Sequence, residues 1–258
     1  MSRPTQRLPA VVFLHGIGGC ARLWAPQLSA FAAAGFVPLA LDLPGYGSRA
    51  PVKAMEFDAL AADVEAAIDW ECLERPVLVG HSFGGMVAQA SLRRRPHAYR
   101  AVILCATSPA FGNRQGDFQQ RFVASRLEAL DNGRTLAQLA PGLVDGLVGP
   151  APDPAARPQA IAAMSAVHAD TYRAAVSCLV GFDERANLPA ISIPVLCLAG
   201  QFDRTAPAQM MQRMADKIAG AVYHCLPGVG HLANLEAPAA FNAACLDFLR
   251  RTCKAEPV

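Results

Sequence analysis

The sequence predicts an α/β protein: a doubly wound, mostly parallel sheet with a helical cap inserted into it. Three observations lead there. Short apolar runs alternate with longer helix-like segments, most of those runs are continuous rather than alternating, and the rhythm stops between about residues 111 and 189. A strand covered by helices on both faces needs apolar side chains on both, so it reads as an unbroken apolar run. Strand–helix alternation then implies βαβ units.

Taken in order, the strand runs are Ala10–Leu14, Val37–Leu41, Pro76–Val79, Ala101–Cys105, Ile193–Leu198 and Ala221–Leu226. Between them, residues 55–70 place Leu60, Val64, Ala67 and Ile68 on one helical face. Residues 205–219 and 238–251 read as helices in the same way. From Phe111 to Pro189 no strand pattern occurs, and the Pro-rich GPAPDPAARP (149–158) interrupts the segment. A crossover needs far fewer residues. The expected organisation is therefore a core from 1–110 and 190–258, with 111–189 as the cap.

The composition excludes several function classes. The chain has 258 residues, 53% hydrophobic and 17% charged, with a net charge of +2. That suffices for a large single core and gives no reason to expect a nucleic-acid partner. No secretory signal and no apolar stretch of about 18 residues is visible. Eight scattered cysteines include no C-x-x-C and no zinc-ligand spacing. The expectation is a cytoplasmic monomer or small homo-oligomer that needs no metal or cofactor.

The chemistry is concentrated in four loops, each following a strand run. Gly80-His81-Ser82-Phe83-Gly84 is G-x-S-x-G between a strand and a helix. The serine of such a turn is exposed above the strand ends at a helix N-terminus, where the Phe83 N–H faces a developing oxyanion. The Gly-rich loop HGIGG (15–19) can offer a second N–H, from Ile17; alone, it could also cradle a phosphate, although no nucleotide-binding fingerprint is completed. Asp203, in GQFD, reads by itself as a helix N-cap. His231, in GVGH, reads by itself as a surface histidine. Ser82, Asp203 and His231 nevertheless follow one another in the order of a known catalytic triad.

These motifs, together with LDLPGYG (41–47) and GHLANLEAP (230–238), resemble the α/β-hydrolase superfamily over nearly the whole chain. GMVAQASL, ILCATSPAFG and VGFDER are most similar to 3-oxoadipate enol-lactonases and related small esterases of aromatic catabolism. The resemblance implies Ser82 as nucleophile, His231 as base, Asp203 as its orienter, and Ile17 and Phe83 as oxyanion donors. The substrate would be a small carboxylic ester or lactone. His15 arrives so early that about six main strands are expected, with the usual N-terminal strand pair reduced or missing. A serine at the nucleophile position argues against dehalogenase and epoxide hydrolase chemistry. Leu232, where carbon–carbon hydrolases often carry Trp, demotes that class.

Carbon–carbon hydrolysis or perhydrolysis on the same triad, and a non-catalytic ligand-binding protein on this scaffold, stand as alternatives. Trp24, Phe111 and Leu232 are candidate pocket residues, with packing the default for the first two. The cap carries Arg114, Arg121, Arg126, Arg134, Arg157, Arg173 and Arg185. A desolvated substrate carboxylate requires a paired cation. Arg126 is the candidate, because enol-lactonase-like sequences tend to have Arg there. Arg93–Arg95 ends a helix and reads as a solvated tract rather than a binding patch.

Overall fold

A computed structural model describes residues 9–112 and 117–253 of the chain. Six strands stand where the apolar runs lie: β1 (Ala10–Leu14), β2 (Val37–Leu41), β3 (Val77–His81), β4 (Ala101–Cys105), β5 (Val195–Gly200) and β6 (Val222–Leu226). They form one sheet in the order β2-β1-β3-β4-β5-β6, and every adjacent pair is parallel. Strand order reverses between β1 and β3. In such sheets ligands bind outside the carboxyl ends of the strands at that switch point.

The starts of β3 and β5 differ from the sequence reading for one reason. β3 and β5 begin just after Pro76 and Pro194, which have no N–H to give a central ladder. Their carbonyls still accept from Arg100 N at 3.1 Å and Val102 N at 3.0 Å. Both strands then run on towards the site, β3 through Gly80 and His81, and β5 to Gly200.

Ten α-helices are assigned among the described residues. In chain order they are α1 (Ala25–Ala33), α2 (Phe57–Trp70), α3 (Phe83–Arg94), α4 (Phe118–Asp131), α5 (Leu136–Asp145), α6 (Ala156–Ser165), α7 (Ala169–Cys178), α8 (Ala208–Ala215), α9 (Ala233–Glu236) and α10 (Pro238–Thr252). Alternate strand residues point to opposite faces. Val12, Leu14, Leu78, Val102 and Cys197 pack with Leu60 and Val64 of α2, Val87 of α3 and Met211 of α8. Phe13, Val79, Ile103 and Leu198 pack on the other face with Phe31 of α1 and Phe241 and Leu249 of α10. Both faces of the central strands are therefore dry. Each fully buried Leu, Ile or Phe contributes about 1.5–3 kcal/mol. β2 and β6 are edge strands and are partly exposed.

The helix read over 205–219 is shorter, Ala208–Ala215, because Pro207 stands at its N-terminus and residues 205–206 serve Asp203 instead. The arginine tract ends α3 in ion pairs: Arg94 with Glu65 at 3.0 Å, Arg95 with Asp69 at 3.0 Å, and Arg93 with both Asp58 and Glu184. It ties α3 to α2.

Helices α4 to α7 all lie between β4 and β5. They touch the loops at the carboxyl ends of the strands. The Thr171 hydroxyl donates to the Gly45 carbonyl at 3.0 Å, and the His231 N–H donates to the Leu147 carbonyl at 2.7 Å. Within the described residues no helix is long and apolar enough to cross a membrane.

Backbone passes very close to backbone where α3 leaves β3. A Cβ on Gly84 would lie 2.3 Å from the Leu14 carbonyl oxygen, and one on Gly80 would lie 2.5 Å from the Gly84 oxygen. Both obstacles are backbone. Gly84→Ala is expected to destabilise the protein by about 3 kcal/mol, lowering the thermal midpoint by roughly 10 °C. An unchanged midpoint would show that α3 can retreat from β1 without cost.

Candidate active site

β3 delivers the chain to Ser82, which adopts φ 53° and ψ −116° before α3 begins at Phe83. A non-glycine residue held there costs about 1–3 kcal/mol. Surrounding bonds over-determine the turn. Ser82 N–H donates to the Cys105 carbonyl at 2.9 Å. The Ser82 carbonyl accepts from Gly85 N at 2.9 Å, Met86 N at 3.1 Å and the Thr107 hydroxyl at 2.8 Å.

The three residues read as a triad meet. Ser82 Oγ and His231 Nε2 are 3.0 Å apart, and His231 Nδ1 and Asp203 Oδ2 are 2.8 Å apart. Asp203 and His231 are both almost wholly buried. Burial opposes the Asp203 charge. Against that, the His231 ring opposite and the N–H groups of Ala206 and Thr205 hold its carboxyl below its ordinary range. Those two N–H groups donate to Oδ1, at 2.9 and 2.7 Å. Asp203 therefore closes its own turn with one oxygen and meets the imidazole with the other, but it is not a helix N-cap, because α8 begins only after Pro207.

Two more histidines frame the site as neutral groups. His15 Nε2 accepts from Leu43 N–H at 3.0 Å, which leaves its proton on Nδ1, 2.8 Å from the Gly16 carbonyl. Burial lowers its pKa. It ties the Gly-rich loop to the chain beyond β2. His81 Nε2 donates to the His231 carbonyl at 2.8 Å, with the two rings 5.0 Å apart. Burial first, and then the neighbouring His231, push the His81 pKa down to about 3. A neutral His81 adds no like charge beside an imidazolium on His231.

Ile17 and Phe83 line one cavity with Ser82. Gly16 is so close that a Cβ there would lie 3.2 Å from the Ser82 Cβ. Phe83 is the first residue of α3, whose opening N–H groups have no helical acceptor. A cavity of about 160 Å³ opens over these groups. Ser82, His231, Ile17, Phe83, Trp24, Phe111, Arg126 and Leu232 all line it, whereas Asp203 stands behind His231. Trp24 forms an inner wall, 1% exposed and 5.0 Å from the Phe13 ring. Phe111 packs in a cluster with Phe118 and Phe122.

The arginines between β4 and β5 divide clearly. Arg121, Arg157, Arg173 and Arg185 pair with Asp117, Asp145, Asp131 and Asp183, and Arg134 donates to the Gln138 carbonyl. Arg114 lies outside the described residues. Arg126 lines the cavity with no carboxylate partner among the described residues, its guanidinium 5.1 Å from the Phe122 ring centre. Tyr172, which also lines the cavity, is nearly buried. Burial raises its phenol above the ordinary value while Arg126 pulls it back.

The alpha/beta hydrolase family profile matches residues 11–244. The chain belongs to this family. A Variovorax paradoxus (strain S110) protein, provisionally named carbamate hydrolase RutD, is 32% identical over 94% of this chain and 92% of its own. The 3-oxoadipate enol-lactonase 2 of Acinetobacter baylyi is 28% identical over 94% of this chain and 89% of its own. The solved structure of the enol-lactonase from Burkholderia xenovorans LB400 superposes with a TM-score of 0.82 at 26% identity, covering 94% of this chain and 92% of that one. The six-stranded parallel sheet described above is thus the α/β-hydrolase fold of this family.

Within that hydrolase frame, sequence reasoning missed three residues. Thr107 braces the elbow and Tyr172 stands near Arg126, and nothing local in the sequence marks either. His81 occupies the variable position of G-x-S-x-G, which carries no signal of its own, yet it anchors the backbone of the histidine loop.

His81 also makes stability depend on pH. An unfolded chain protonates this imidazole near pH 6.5, whereas the folded chain resists protonation down to about pH 3. The unfolded state therefore binds more protons between those values, and stability falls as pH falls below about 6.5, by roughly 1 kcal/mol per pH unit from this group. Denaturant midpoints measured from pH 6.5 to 4.5 should fall less steeply for His81→Gln than for the wild type. Equal slopes would show that His81 accepts a proton in the folded protein.

Proposed function

We propose that this hydrolase is a serine esterase or lactonase that cleaves a small acidic substrate through an acyl-enzyme. The observation that carries the reading is the continuous hydrogen-bond chain from Ser82 through His231 to Asp203. A serine hydroxyl is a weak nucleophile until a base takes its proton. In this reading His231 removes the proton as Oγ attacks the substrate carbonyl, and Asp203 keeps the imidazole in the required tautomer and stabilises the imidazolium. The Ile17 and Phe83 N–H groups receive the oxyanion, with donors fixed before charge develops. His231 then protonates the departing alcohol, or the ring oxygen of a lactone. A water activated by the same imidazole releases the acid.

Arg126 favours an acidic substrate. It is the cavity-lining arginine without a carboxylate partner among the described residues, and the Tyr172 phenol stands near it as a neutral donor. The enol-lactonase names of two relatives are of the same bond class. The helices between β4 and β5 serve in this reading as the cap that excludes water and sets specificity.

Steady-state kinetics on a panel of neutral and carboxylate-bearing esters and lactones test this. Ser82→Ala is expected to lower kcat by about 10⁴-fold or more with folding intact. Arg126→Ala is expected to raise KM roughly 10–100-fold for the acidic members and leave the neutral ones unchanged. Turnover by Ser82→Ala would exclude the covalent route, and equal KM effects across the panel would exclude Arg126 as a carboxylate ligand. Hydrolysis confined to coloured dienoic acids would assign carbon–carbon cleavage instead.

A further inference from the structure

Glu236 lies five residues beyond His231, at the end of the short helix α9. It is 4% exposed, so its carboxylate is taken into the interior, where an unpartnered charge is costly. Among the described residues no Arg or Lys pairs with it. Its partners are three backbone N–H groups: Gly149 at 2.6 Å and Gly230 at 2.9 Å on Oε2, and Leu232 at 2.8 Å on Oε1.

Gly230 and Leu232 flank His231, and the intervening His231 N–H donates to the Leu147 carbonyl. Three successive amides of the histidine loop are thereby held, two by Glu236 and one by the segment between α5 and α6. That same segment gives its Gly149 N–H to Glu236. The junction has no slack. A Cβ on Gly149 would lie 2.5 Å from the Gly228 oxygen, and one on Gly230 would lie 2.5 Å from both Gly149 N and the Leu147 oxygen.

The geometry points to Glu236 as a positioning residue that locks the His231 loop to the segment between α5 and α6 and so sets the imidazole against Ser82. This rests on the triad reading above. The lock needs a carboxylate. A carboxamide presents one accepting oxygen and one NH₂, so it would turn a donor towards either Leu232 N–H or the Gly149 and Gly230 pair.

Inactivation by a fluorophosphonate separates nucleophile activation (kinact) from reagent binding (KI) without requiring the natural substrate. Glu236→Gln is expected to lower kinact roughly 10–100-fold, as a displacement of about 1 Å does, with KI within about twofold and cooperative unfolding retained. Gly149→Ala, which pushes the same segment away and lines no part of the cavity, is expected to show the same split. It decides the question if Glu236→Gln does not fold. A wild-type kinact in a folded variant would overturn the role, as would KI rising in step with falling kinact. Labelling that persists in Ser82→Ala, or a wild type that is not labelled, would instead remove the triad reading on which the role depends.

Discussion

Backbone passes closer to backbone at the β3–α3 turn than any side chain permits, and the site depends on that approach. With hydrogen alone at Gly80 and Gly84, α3 can press against the end of β1 while the chain reverses at Ser82. This contact brings the loop after β1 beside the serine and sets the Phe83 amide at the head of a helix. The strain at Ser82 is held by four hydrogen bonds to its own peptide groups. Spreading the constraint over the strand, the helix and Thr107 is what allows a costly backbone conformation to persist.

The electrostatics follow from the dryness this packing creates. Away from water every polar group needs a partner, and here partners are assigned by geometry. Asp203 takes two amides and one imidazole. His15 and His81 stay neutral because burial disfavours their charged forms, and each uses its fixed tautomer to hold a loop. Glu236 carries no cation and takes amides alone. The Ile17 and Phe83 amides, which have no protein acceptor among the described residues, belong to residues that line the cavity with Ser82. A site arranged this way needs little reorganisation when charge develops, which is the basis of electrostatic preorganisation.

Legibility in the sequence tracked the range of each interaction. The strands could be read because burial on both faces leaves unbroken apolar runs, and the starts of β3 and β5 lie beyond Pro76 and Pro194, which lack a donor. The elbow could be read because its glycines are a local requirement. Asp203, open to a helix N-cap reading from its local sequence, instead closes a turn ahead of Pro207 with one oxygen and meets His231 with the other. His231 looked like a loop residue until its order relative to Ser82 and Asp203 was considered. The pairings of Arg157 with Asp145 and Arg173 with Asp131, the anchoring role of His81 and the reach of Glu236 to Gly149 are contacts between positions 12 to 150 residues apart. Nothing in the local pattern encodes them.

The central claim is that Ser82 is the activated nucleophile, and where a fluorophosphonate becomes attached tests it most directly. Peptide mapping by mass spectrometry after reaction with a stoichiometric amount should find one phosphonate per chain, carried on Ser82. An adduct on any other residue, or an unmodified chain after prolonged exposure, would contradict the account.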